Sequence, residues 1–107
     1  EYLNAQAWNG RVREFRHGTR IEMEPDAALA IAREATPLPP ETVGEADDNA
    51  PQPGTSVTVT PEDFGKDPVA GEVTAISRRR ISIRREDPEL GEIAVHFPRI
   101  GYVVRPA

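Results

Sequence analysis

Between residues 55 and 105 apolar and polar side chains alternate in five short runs, the pattern of strands that bury one face. Val57 and Val59 alternate with Ser56, Thr58 and Thr60. Val73 and Ala75 alternate with Glu72, Thr74 and Ile76, and Ile81 and Ile83 alternate with Ser82 and Arg84. Ile93, Val95 and Phe97 alternate with Glu92, Ala94 and His96, and Ile100, Tyr102 and Val104 form the last run. Turn-forming residues separate them at 61–68, 78–80, 87–91 and 98–99. This phase sends Phe97 and Tyr102 inward and Ser82, Arg84 and His96 outward. Gly65, Gly71, Gly91 and Gly101 read as turn glycines.

Five strands in about fifty residues imply a small closed or half-closed barrel, SH3-like in size. The chain before it has a different period. In residues 1–36, Trp8, Val12 and Phe15 recur at helical spacing with Leu3 and Ala5 a turn earlier, and Gly18 supplies a stop. A second helix is expected from Pro25, which suits a first helical position; Asp26 suits the positive end and Pro37 the stop. Two helices this short cannot enclose a core, so their apolar faces call for partners upstream. Residues 37–54 hold five prolines and no periodicity, which reads as an extended, solvated linker. Pro37-Leu38-Pro39-Pro40 within it reads as a stiff spacer rather than a ligand for a proline-reading domain. The expected class is α+β: short N-terminal helices (1–36), a Pro- and acid-rich linker (37–54) and a five-stranded SH3-like β-barrel (55–107).

Five arginines crowd residues 78–85 of an otherwise acidic chain: Arg78, Arg79, Arg80, Arg84 and Arg85. A nucleic-acid surface needs a basic excess with aromatic stacking groups beside it. Residues 1–52 carry five Lys or Arg against ten Asp or Glu, and residues 53–107 carry eight against eight. Neither half has the excess, so nucleic acid is not an expected partner. Arg78–Arg80 fall at a hairpin turn, and Glu72, Glu86, Asp87, Glu89 and Glu92 are available to pair with the strip. Arg78, Arg79, Arg80, Ser82 and Arg84 are the candidate interaction surface.

The search for chemistry finds nothing that converges. No cysteine is present, which excludes disulfides, thiolate metal sites and cysteine nucleophiles and suits a reducing, cytoplasmic setting. His17 and His96 lie in different regions without metal-ligand spacing. No serine sits on a strand-turn-helix elbow, and no glycine loop cradles phosphate. No apolar run approaches the roughly 20 residues of a membrane helix, and no basic leader precedes an apolar segment. The chain does not open on Met, and Glu1 to Trp8 already reads as helix interior, so a piece of a longer protein is expected.

Two stretches together resemble a known family. Trp8-Asn9-Gly10-Arg11-Val12-Arg13-Glu14-Phe15, with Gly18-Thr19-Arg20 and the alanine-rich run from Ala27 to Pro37, resembles the last helices of the C-terminal domain in bacterial glutathione S-transferase-like proteins. The stretch containing "DFGKDPVAGE" and "VHFPRIGY" resembles a small β-appendage that follows this domain in some members. The resemblance implies a non-catalytic C-terminal accessory module. The parent would transfer glutathione, its co-substrate, to small electrophiles. It would also supply upstream thioredoxin-like and helical domains as partners, and it could form a homodimer. No catalytic residue carries over, because the thioredoxin-like domain that supplies one in the family is not in this sequence. On this reading Trp8 and Phe15 belong to a core rather than a pocket. The alternative is an SH3-like binding module for a protein or nucleic-acid partner.

Overall fold

The computed structural model describes residues 2–40 and 45–107. Two helices come first, α1 at Leu3–Glu14 and α2 at Pro25–Glu34. Five strands follow: β1 Ser56–Pro61, β2 Val69–Ile76, β3 Arg80–Asp87, β4 Gly91–Pro98 and β5 Tyr102–Pro106. Each expected run is a strand. Arg80, expected in the turn, opens β3 opposite Pro98. Ile100, expected at an inward position, lies in the β4–β5 turn and is exposed.

The strands form one antiparallel sheet in the order β4-β3-β2-β1-β5. The expected barrel is not closed. The edge strands β4 and β5 share no ladder, and each ends in a proline, Pro98 and Pro106, which has no N–H to donate. Side chains bridge the two edges instead: the rings of Phe97 and Tyr102 meet at 5.2 Å and 54°.

Val57, Val59, Val73, Ile81 and Ile83 are fully buried, and Ile76, Val95, Phe97, Tyr102 and Val104 pack around them. Burying side chains of this size contributes roughly 1.5–3 kcal/mol each before chain entropy is subtracted. A register shift between Val73 and Ala75 revises the expected phase of β2. Val73 faces Ile83 and Ile76 faces Ile81, while Ala75 lies beside Ser82. Thr74 is the extra residue of this bulge, and its Oγ1 donates to the Ser82 carbonyl at 3.1 Å. The bulge brings Val73 and Ile76, an odd and an even position, to the same core. Gly71 is no turn residue but sits within β2 opposite Val57.

The helices bury little: only Leu29 and Ala32 of α2 are half-buried among their described residues. Neither contains a buried residue, and Leu3, Trp8, Phe15 and Ile31 are all more than half exposed. Trp8 and Phe15, expected to face a core, meet none among the described residues. Helix α1 ends at Glu14, short of Gly18, where Arg16 takes a left-handed backbone with φ of 55°. Helix α2 keeps its expected signals, with Pro25 in its first turn and Asp26 beside it; Arg33 adds a base in the last turn. A hydrogen bond ties it to the sheet: Arg33 Nε donates to the Glu89 carbonyl in the β3–β4 turn at 2.6 Å. The described part of 37–54 holds no helix or strand; Pro37, Ala46, Ala50 and Pro51 are half-buried.

Candidate functional site

The outer face of the β3–β4 hairpin collects most of the polar side chains singled out above. Its register is fixed by the turn at 88–90. Asp87 Oδ1 accepts from the amides of Glu89 at 2.9 Å and Leu90 at 3.0 Å. These two bonds hold the Asp87 carboxyl below the usual carboxylate range, with a smaller contribution from the Arg85 charge. The turn so capped pairs Ser82 with His96 and Arg84 with Ala94.

Ser82 lies on the outer face, as the alternation requires, but it is not available there. It is 1% exposed. Its place on a central strand, with Ala75 on one side and His96 on the other, covers its short side chain. Its Oγ is 2.7 Å from His96 Nδ1. The bond therefore orients the exposed ring of His96, and the covered hydroxyl cannot reach a substrate as a nucleophile must. The pair escapes the sequence reading because the two residues are 14 apart. A signal existed: a hairpin folded about Glu89 places 82 and 96 at equal distances from the bend.

Beside His96, the arm leaving α2 lies over the hairpin and bounds an open groove of about 530 Å³. Ala35, Pro37, Leu38, Ile93 and Ala94 give it apolar walls, with Arg80, Glu92 and His96 at its polar side.

The arginines divide. Arg84 Nη2 reaches Glu72 Oε1 across the β2–β3 ladder at 3.2 Å, the pairing that the alternation anticipates. Arg78 Nε lies 3.3 Å from Asp47 Oδ1, and its amide donates to the Glu45 carbonyl at 3.1 Å. The acid for Arg78 thus comes from the 37–54 segment and not from the strands. Exposed pairs of this kind are worth about 0–1 kcal/mol, so they place the charges more than they stabilise the fold. Arg79 makes no ion pair among the described residues. Ser77 shapes the arginine turn: it is buried, and its Oγ accepts from the amides of Arg79 at 3.3 Å and Arg80 at 3.2 Å. Among the described residues no three His, Cys, Asp or Glu side chains cluster as a metal site would need. No helix there is long and apolar enough to cross a membrane.

No family model matches the chain, and no curated protein matches it. Among solved structures it is similar to a GST-like protein from Pseudomonas syringae, at 35% identity and a TM-score of 0.86. The match covers 97% of this chain, so nearly every residue of the helices and the sheet lies within it, and 38% of that chain. The chain thus spans a little over a third of the protein it resembles. The likeness in sequence and in fold supports a GST-like relationship for both the helical segment and the sheet.

Proposed function

We propose that this chain is a non-catalytic accessory module of a GST-like protein, the part formed by the last helices of its helical domain and a β-appendage. The whole protein transfers glutathione to small electrophiles. Its thioredoxin-like and helical portions are the partners of this module, and its setting is the cytoplasm. One observation carries the reading. The likeness to a GST-like protein runs through both the helices and the sheet, while Leu3, Trp8 and Ile31 on the helices are more than half exposed among the described residues. Apolar faces of this kind are the surface that a further helical layer covers. The covered Ser82 hydroxyl and the paired Arg84 and Arg78 support a structural rather than a catalytic use of the hairpin.

The test is an amide NMR titration of the chain with glutathione and with S-hexylglutathione. Neither ligand is expected to cause saturable shifts. Saturable shifts clustered around Trp8, Phe15 or the groove beside His96 would contradict the accessory reading and place part of a binding site here.

A further inference from the structure

The sheet ends in β4 on one side and β5 on the other, and its ladders fix which backbone groups each edge leaves over. The Arg99 amide donates to the Arg79 carbonyl at 2.9 Å, one step beyond the facing residues Arg80 and Pro98. Bonded pairs recur at every second residue of an antiparallel ladder. Ile81 with Phe97, Ile83 with Val95 and Arg85 with Ile93 are therefore the bonded pairs of β3 and β4. Glu92, Ala94 and His96 turn both N–H and C=O away from β3. Among the described residues no backbone hydrogen bond from a turn, loop or further strand reaches these groups. The same count from the Glu62–Gly101 bond leaves Tyr102, Val104 and Pro106 on the outer edge of β5, where Pro106 has no N–H to give.

Sheet edges are commonly blunted by proline, by lysine or by a covering segment. β4 has no lysine or arginine and no proline before Pro98. The arm leaving α2 runs beside it without pairing, since Pro37, Pro39 and Pro40 have no N–H. The open groove of about 530 Å³ has Pro37 and Leu38 on one wall and Ile93 and Ala94 on the other. The charge beside the free row is one-sided. Glu86 and Glu92 face each other as a non-bonded pair, the kind whose side chains stand closest, and like charges so placed repel. Neither carboxylate forms an ion pair among the described residues.

We propose that the outer edge of β4 docks an extended segment of a second protein, which joins the sheet as a further antiparallel strand. A peptide backbone offers donors and acceptors at the two-residue repeat that Glu92, Ala94 and His96 present, and every ladder of this sheet is antiparallel. The segment carries Lys or Arg opposite Glu92 and an apolar side chain opposite Ala94, two residues apart and so on one face. The base offsets the repulsion between Glu86 and Glu92, and the apolar side chain enters the groove beside Pro37 and Leu38. The β4 strand of another copy does not fit, because it has no base to place there. The site uses neither helix and does not rest on the accessory reading. A short strand of this kind binds reversibly, with a dissociation constant of about 10–500 µM.

The experiment is an amide NMR titration of the full 107-residue chain with the peptide acetyl-Thr-Leu-Thr-Lys-Thr-Leu-Thr-amide, to about 2 mM. Saturable shifts are expected, larger at the amides of Glu92, Ala94 and His96 than at those of Ile93 and Val95, which face β3. Methylating the Leu and Lys amide nitrogens of the peptide should abolish binding, and methylating those of the two Thr beside Lys should not. Replacing its Lys by Glu should weaken binding about fivefold, and in Glu92→Lys that preference should vanish. Ala94→Pro removes the middle donor of the free row and no bond to β3, so the spectrum of the core stays intact while binding is lost. A peptide that causes no saturable shift overturns the proposal. So do shifts that cluster on the helices, or binding that survives Ala94→Pro. Shifts at Glu92, Ala94 and His96 on dilution of the free chain would give the edge to another copy and equally overturn it.

Discussion

Truncating Ile83 to alanine is expected to cost about 2–5 kcal/mol and to leave the sheet largely unfolded at room temperature. Ile83 is 0% exposed on β3, an interior strand, opposite Val73 on β2 and Val95 on β4. Among the described residues only five side chains are fully buried apolar anchors, and they form one cluster, so no second core is there to absorb the loss. A body this small has a net stability of a few kcal/mol, on the order of 3–5, which the substitution consumes. Thermal unfolding followed by circular dichroism checks this. Ile83→Val removes one methyl and should cost only about 0.5–1.5 kcal/mol, leaving a cooperative transition at lower temperature. An Ile83→Ala chain that melts as the unaltered protein does would contradict the placement of the core.

Adding one methyl at position 71 is expected to do comparable harm by the opposite route. A Cβ on Gly71 would lie 2.7 Å from the Arg84 carbonyl oxygen, 3.0 Å from Ile83 Cδ1 and 3.2 Å from Ile83 Cβ. The nearest of these is backbone, held in the ladder that pairs Glu72 with Arg84, so it cannot swing aside. Overpacking of this kind costs about 1–3 kcal/mol. The effect of Gly71→Ala should appear as a lower melting temperature and as amide shifts concentrated around Ile83 and Arg84. Unchanged stability would mean that β2 and β3 do not approach so closely.

The five strands were legible because a buried face imposes a two-residue period, which Val57/Val59, Ile81/Ile83 and Ile93/Val95 display openly. The phase of β2 was not, because a bulge at Thr74 adds a residue and shifts Ile76 onto the core face; nothing local in the run of residues 72–76 marks it. Gly71 reads as a turn glycine for a related reason. Its constraint is a close approach of neighbouring backbone, and that neighbour is thirteen residues further along the chain. Barrel closure was expected from strand number alone, whereas the prolines ending β4 and β5 leave the two edges to be bridged by Phe97 and Tyr102. The Ser82–His96 pair required the hairpin register, and the Arg78–Asp47 pair required knowing that the 37–54 segment returns to the sheet. The helices posed the reverse case: α2 matched its signals closely, yet most apolar side chains of both helices stay exposed among the described residues.

Amide hydrogen exchange on this chain tests most directly the account of a stable sheet joined to helices that await the rest of a GST-like protein. Amides of β1 to β4 should exchange slowest and together, as one cooperative unit, and those of α1 should exchange nearly unprotected. Protection of Trp8 and Val12 equal to that of Ile81 and Ile83 would mean that the helices find their partner within this chain. That result would contradict the central claim.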